Sequence, residues 1–317
     1  MQREHPGDGF TAAAELLRSR RRIPVATYRL QFGSAFTFND ARRIVPYLAS
    51  LGISHVYASP ILKSGPGGHG YDICDHSALD PAIGTDADFG AFVDALHAHA
   101  MGLILDVVPN HMGIATECNR WWMDVLEHGP SSPYARFFDI DWHPATAAFH
   151  DKVLLPILED QYGRVLEAGL LRLVFGDAGF RIRYHDRTLP VAPRTWTLVL
   201  ALHLDSLLQD PGADDPHVLE LQSIMTAISH LPPRNEADQD RIAEGRREAD
   251  VIRRRVAGVY AASMDVRAAI DRAVRAINGR AGEPESFERL DALLDAQAYR
   301  PAYWRVASEE INYRRFF

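Results

Sequence analysis

Between residues 25 and 111 the chain alternates short apolar runs with longer amphipathic stretches. From Val25 to Phe32, Ala26, Tyr28 and Leu30 alternate with Thr27, Arg29 and Gln31, a period of two that predicts a strand ended by Gly33. Thr37 or Asn39 can then cap a helix through about Leu51, with Gly52 as its stop. Pro46 lies inside that helix and should bend it or mark a later start. Ile53 to Ala58 predicts a second strand, which leads through Ser59-Pro60 into a glycine-rich loop from Ser64 to Asp72. Thr85 followed by Asp88 has the form of a capping box. It predicts a helix to about Ala100, with Phe89, Phe92, Val93 and Leu96 on one face and Gly102 as its close.

Next comes Gly102-Leu103-Ile104-Leu105-Asp106-Val107-Val108-Pro109-Asn110-His111, an apolar run that ends in polar residues. It reads as a strand buried on both faces. Leu103, Leu105 and Val107 take one side, and Ile104, Asp106 and Val108 the other. A buried carboxylate is costly unless paired, so Asp106 is either a structural tie or a site residue. The order strand, helix, strand, helix, strand implies parallel strands with crossover helices. The polar clusters follow the strands' C-terminal ends, where such folds place their sites.

Past Ile114 the rhythm breaks. Trp121, Trp122, Tyr134, Phe137, Phe138 and Trp142 form an aromatic-rich segment, suited to packing beneath a long loop or to stacking on sugar rings. Phe180 to Tyr184 and Thr195 to Leu200 read as strands. Ser223 to Leu231 and Ala237 to Asn278 read as helices, the latter with Arg246, Arg247, Arg253, Arg254 and Arg255 as a solvated face.

Composition adds limits. The 317 residues carry a formal net charge of -8, which argues against a nucleic-acid footprint. No run approaches a membrane span, and no secretory signal is evident, so a cytoplasmic enzyme or binding protein is expected. Cys74 and Cys118 have no metal-like spacing and suggest neither a disulfide scaffold nor a thiolate metal site. The glycine-rich loop lacks the Gly-Lys-Ser/Thr ending of a phosphate cradle. Its glycines let the chain turn and present His69, Tyr71 and Asp72.

Asp106 to His111 resembles the first signature of the alpha-amylase superfamily, and His69-Gly70-Tyr71-Asp72 resembles that superfamily's loop with a ring-stacking tyrosine. Within it, the maltooligosyl trehalose synthase family is the nearer resemblance. That rests on Thr27 to Gln31, Ser59 to Lys63, Trp121-Trp122 with Asp124 to Leu126, Ser132 to Trp142, and Tyr303 to Phe317. The resemblance implies an α/β fold: the first three strands of a (β/α)8 barrel, with a long mixed insertion. Residues 1–22 would be a tail with a short helix from Ala12 to Arg22, 23–113 the first part of the barrel and 114–230 an inserted subdomain. Residues 231–284 would be a helical insertion and 285–317 a return, ending before the fourth strand.

By the same resemblance Tyr71 would stack under a sugar ring. Asp72 and His111 would bind its hydroxyls, and Asp106 would orient an arginine beside the nucleophile. His69 and Asn110 would be supporting residues. No nucleophile or general acid can be placed in the chain. Arg181 to His185 imitates the nucleophile motif but lacks the Asp before the His. No cofactor or metal is implied. The expected substrate is a maltooligosaccharide or other α-1,4-glucan, isomerised to a trehalose end. An α-glucan hydrolase or a non-catalytic carbohydrate-binding fragment are the alternatives.

Overall fold

The computed structural model describes Thr11 and residues 14–16, 23–65, 69–114, 117–177, 179–307 and 310–314. The chain forms two compact units, Met1–Gly113 and Ile114–Phe317.

In the first unit β1 (Thr27–Leu30), β2 (His55–Ala58) and β5 (Gly102–Leu105) make a parallel sheet with β2 in the centre. Helix α1 (Phe38–Ser50) joins the first pair. The antiparallel strands β3 (Leu62–Ser64) and β4 (Ile73–Leu79), then α2 (Asp86–Ala98), lie between β2 and β5. Both helices start with a capping box, Thr37 with Asp40 and Thr85 with Asp88. Helix α1 begins at Phe38 and runs through Pro46, so the proline does not mark a later start. Gly52 takes the left-handed conformation that ends it, at φ +82°.

Gly102 does not close α2. The left-handed residue there is Ala100, at φ +56°, and Gly102 is the first residue of β5. Its role is packing, because an added Cβ would lie 2.3 Å from the His55 ring on the neighbouring strand. Gly102→Ala should therefore destabilise this unit by about 1–3 kcal/mol through overpacking. A lowered urea midpoint with an unchanged slope would show it.

Register assigns the two faces of the sheet. Leu30, Val56, Ala58 and Leu103 join Phe38, Val45, Leu48, Phe92 and Leu96 in one apolar core. On the other face Thr27, His55 and Gly102 form one row, and Arg29, Tyr57 and Ile104 the next. The expectation that β5 is buried on both faces is wrong. Leu105 is 43% and Val107 54% exposed, because β5 has a strand partner on one edge only among the described residues. The cysteines also differ from expectation: Cys74 and Cys118 are each disulfide-bonded, which sequence spacing does not reveal.

In the second unit α3 (Arg120–His128) precedes β6 (Val153–Leu158), which pairs in parallel with the late strand β10 (Tyr299–Tyr303). After α4 (Tyr162–Glu167), an antiparallel sheet is built from β7 (Leu171–Gly176), β8 (Gly179–Tyr184) and β9 (Arg187–Pro190). The Arg181 to His185 segment lies on this hairpin, with His185 in its turn. Thr195 to Leu200 is helical rather than a strand, ending in α5 (Thr197–Leu200). Trp196, Val199 and Leu200 are buried while Leu198 is half exposed, a helical spacing that a six-residue apolar run hides.

The longer helices of this unit are α6 (Pro216–Ser229), α7 (Gln239–Ala262), α8 (Met264–Ile277) and α9 (Glu288–Asp295). The single helix expected over 237–278 is two, broken at Ser263, whose hydroxyl caps α8 by accepting from Val266 N–H. Its arginines are not a purely solvated face. Arg246 pairs with Asp124, Arg253 with Glu127 and Asp250, and Arg255 with Glu220. Near the C-terminal end, buried Asn312 accepts from Leu154 N–H at 2.9 Å and donates to the Asp141 and Lys152 carbonyls at 2.8 Å. No helix among the described residues is long and apolar enough to cross a membrane.

Candidate functional site

The polar face of the first unit's sheet converges on Asp106. In a parallel sheet, side chains in register share a face. Arg29 on β1 therefore lies beside Tyr57 on β2, and Asp106 follows β5 two residues after Ile104, on that same face. The loop before β4 adds Tyr71. Gly70, at φ +79°, lets this loop pass the Pro60 carbonyl, which a Cβ would approach to 2.9 Å.

One oxygen of Asp106 takes three donors. The Tyr71 hydroxyl donates to Oδ2 at 2.8 Å, the Tyr57 hydroxyl at 3.0 Å, and Arg29 Nη1 at 3.4 Å. Arg29 Nη2 also donates to the Tyr71 hydroxyl at 2.8 Å, and the guanidinium lies over the Tyr57 ring at 4.7 Å. Each phenol is held by the carboxylate, and the arginine touches both phenols and reaches Gln31 Oε1 at 3.4 Å.

The electrostatics follow. The Tyr71 hydroxyl, with Tyr57 and Arg29, holds the Asp106 carboxyl below its ordinary pKa, against a smaller opposing effect of burial. The Tyr57 hydroxyl is raised, first by its bond to Asp106. Arg29 is raised, first by its bond to Tyr71. Since the folded carboxyl titrates below the unfolded one, its stabilisation is full above about pH 4. It is lost as pH falls through the depressed folded value. The melting temperature of wild type relative to Asp106→Asn should therefore show a gap at neutral pH that closes as the pH falls below about 4.

The other sequence-predicted residues are held locally. Tyr71 N–H donates to His69 Nδ1 at 3.0 Å, and His69 Nε2 lies 3.4 Å from Asp72. His111 Nδ1 and Asn110 Oδ1 are 3.0 Å apart. The structure thus brings Tyr71 and Asp106 together, orders the Tyr71 loop through His69, and keeps Asn110 with His111. Asp72 and Asn110 are exposed. Arg29 and Tyr57 were missed by sequence reasoning. The alternation in Val25 to Phe32 places Arg29 opposite Leu30, but pairing it with Asp106 needs the register of three strands.

The cluster contains one carboxylate, with two phenols and a guanidinium at fixed spacing. It can orient and hydrogen-bond a polyol or fix a neighbouring charge. It cannot perform a double displacement by itself, which needs two carboxylates. Among the described residues no group of three or more His, Cys, Asp or Glu is arranged to hold a metal ion.

Residues 42–164 match the family model described as alpha amylase, catalytic domain. A Mycobacterium tuberculosis protein named as a maltooligosyl trehalose synthase is 42% identical over 176 residues, which cover 53% of this chain and 21% of that protein. An intracellular maltogenic amylase of Bacillus subtilis is 37% identical over 106 residues, covering 33% of this chain and 17% of the amylase. Among solved structures, maltooligosyltrehalose synthase from Arthrobacter ramosus aligns with a TM-score of 0.55 and 30% identity, covering 93% of this chain and 26% of that one. The chain therefore spans about a fifth to a quarter of the length of these synthases. By sequence and by structure, the chain is similar to maltooligosyl trehalose synthases, and its mixed α/β character is that of an alpha-amylase-type domain.

Proposed function

We propose that the chain is the amino-terminal part of an enzyme that converts the reducing-end α-1,4 link of a maltooligosaccharide into an α,α-1,1 link. The observation that carries this reading is the alignment with the Arthrobacter ramosus synthase over 93% of the chain. The β1-β2-β5 sheet would be the first three strands of a (β/α)8 barrel. Its polar face, carrying Arg29, Tyr57 and Asp106, would look into the barrel. The exposed Leu105 and Val107 at the edge strand support a further neighbour there.

In this reading Tyr71 stacks under the sugar at the cleaved bond, and Asp72 and His111 bind its hydroxyls. Asp106 is a positioning residue. It would orient the arginine that neighbours the nucleophile elsewhere in the enzyme, and within this chain it accepts from the Tyr71 hydroxyl and pairs with Arg29. The carboxylates for covalent catalysis and leaving-group protonation would come from elsewhere in the enzyme. Released glucose must then be retained and water excluded, since hydrolysis competes for the same intermediate. The reading includes a cytoplasmic location and no nucleic-acid partner, supported by the acidic charge.

The test is product analysis on maltopentaose, using protein isolated from its source cells with an antibody to residues 1–100. A species well above 35.4 kDa that removes reducing ends supports the proposal. Rising reducing ends would instead identify an α-glucan hydrolase. Sugar binding without turnover, by a species of about this mass, would leave a carbohydrate-binding fragment.

A further inference from the structure

Arg29 lies on the polar face of β1, in register with Tyr57 on β2. Its guanidinium is held from several sides. Nη1 donates to Asp106 Oδ2 at 3.4 Å, and Nη2 donates to the Tyr71 hydroxyl at 2.8 Å and to Gln31 Oε1 at 3.4 Å. The whole group sits over the Tyr57 ring at 4.7 Å. The backbone beneath is fixed as well. Thr27 to Leu30 pair with His55 to Ala58, and Phe32 N–H donates to the buried Ser59 hydroxyl at 2.8 Å. Stability does not account for this bracing. The Arg29 side chain is 37% exposed, and an exposed ion pair of this kind adds only about 0–1 kcal/mol.

The shortest of these contacts is the one to Tyr71. A guanidinium can only donate, and an ionised carboxylate can only accept. The Tyr71 hydroxyl stands between the two, accepting from Arg29 Nη2 and donating to Asp106 Oδ2, both at 2.8 Å. The direction of the chain is therefore set, from Arg29 through Tyr71 to Asp106. The phenol oxygen is located by two contacts instead of one. A ring tethered by a single hydrogen bond can pivot about it, and the second contact removes that freedom. The loop itself does not do this, because its tie from Tyr71 N–H to His69 Nδ1 at 3.0 Å holds the backbone and not the ring.

We infer, on the reading above in which Tyr71 stacks under a sugar, that Arg29 is a positioning residue whose planar fork sets the plane of the Tyr71 ring and so the face offered to the sugar. Lysine cannot replace it. An ammonium is a point charge that can meet Asp106 or the Tyr71 hydroxyl, but it has no planar group to lie over Tyr57 while spanning both.

The experiment is a double-mutant cycle in the longer enzyme, with kcat and KM on maltopentaose for Arg29→Met, Tyr71→Phe and the pair. Tyr71→Phe keeps the ring and removes the hydroxyl through which Arg29 acts. Each single variant should lose about tenfold in kcat, with KM within about threefold of wild type. The double variant should lose no more than the larger single loss. Losses that multiply to about a hundredfold would overturn the inference, since Arg29 would then act independently of Tyr71. Wild-type activity in Arg29→Met would overturn it too. Arg29→Lys should fall as far as Arg29→Met, and full activity in Arg29→Lys would show that charge suffices and remove the fork.

If the wild-type enzyme does not isomerise maltopentaose, the trehalose-forming reading fails, and Arg29 is judged in the 317-residue chain. There, ring-carbon relaxation of Tyr71 should show microsecond-to-millisecond exchange in Arg29→Met and Arg29→Lys that wild type lacks. A Tyr71 ring equally ordered in all three proteins would overturn the positioning role by itself.

Discussion

In the longer enzyme proposed above, replacing Asp106 by alanine should lower conversion of maltooligosaccharide about a hundredfold or more, the size of effect seen when one preorganised electrostatic partner is removed from an active site. Three donors meet at its Oδ2, from Tyr71, Tyr57 and Arg29. Without the carboxylate, Tyr71 loses the contact that fixes its hydroxyl, and the Arg29 charge is no longer neutralised. The ring that would stack under the sugar then keeps only its bond from Arg29 and the loop contact through His69. Folding should suffer far less. The Asp106 side chain is 19% exposed, so water can reach the freed donors. The measurement is kcat and KM from the loss of reducing ends, beside a urea titration of the same protein. A positioning role predicts a fall mainly in kcat, with an unchanged fold. Activity within threefold of wild type would remove Asp106 from the site.

The limits of reading this site from sequence lie in register. The elements around it were legible because each has a local cause: capping boxes at Thr37 and Thr85, a left-handed Gly52, and period-two alternation in β1. Tyr71 and Asp106 were singled out by the glycine-rich loop and the apolar run that carry them, and by resemblance, but the contact between them is shown only by the fold. Arg29 and Tyr57 lie 77 and 49 residues from Asp106. No local pattern links them. The face each residue occupies follows from alternation, but which rows meet depends on strand pairing.

The same physics explains two misreadings. The run from Leu103 to Val108, apolar except for Asp106, resembles a strand covered on both sides, yet coverage depends on neighbours, and β5 has one strand neighbour among the described residues. The run from Thr195 to Leu200 is too short for periodicity to separate strand from helix. Burial of Trp196, Val199 and Leu200 against the second unit's core decides for helix. The arginines of α7 looked solvated because their partners Asp124, Glu127 and Glu220 sit on α3 and α6, far away in the sequence.

Trp121 and Trp122 carry the second large expected effect, because adjacent positions on α3 face different surroundings. Trp122 is 1% exposed, with ring centroids 5.0 Å from Phe138 and 5.4 Å from Tyr313. Trp122→Ala should cost the second unit about 3–5 kcal/mol, the transfer of a large ring plus the cavity it leaves. For a unit of ordinary stability that is enough to populate the unfolded state. Trp121 is partly exposed and stacks on Tyr134 at 5.7 Å and 11°, with Phe137 at 5.3 Å. Its replacement by alanine should cost about 0.5–1.5 kcal/mol for the lost ring pairs, plus a smaller loss of burial.

Urea midpoints for the two variants separate the roles, and equal losses would mean that α3 is not oriented as described. The contrast also decides which tryptophan can be tested against sugar. A ring in the core cannot reach a ligand without unfolding its unit, so a sugar effect of Trp122→Ala would report stability alone. Trp121, with the 47% exposed Phe137 beside it, offers aromatic surface to solvent. Quenching of its fluorescence by maltooligosaccharide, lost in Trp121→Ala at full folding, would assign the aromatic segment to sugar contact. Unchanged fluorescence would leave these rings as packing, which is already sufficient to explain Trp122.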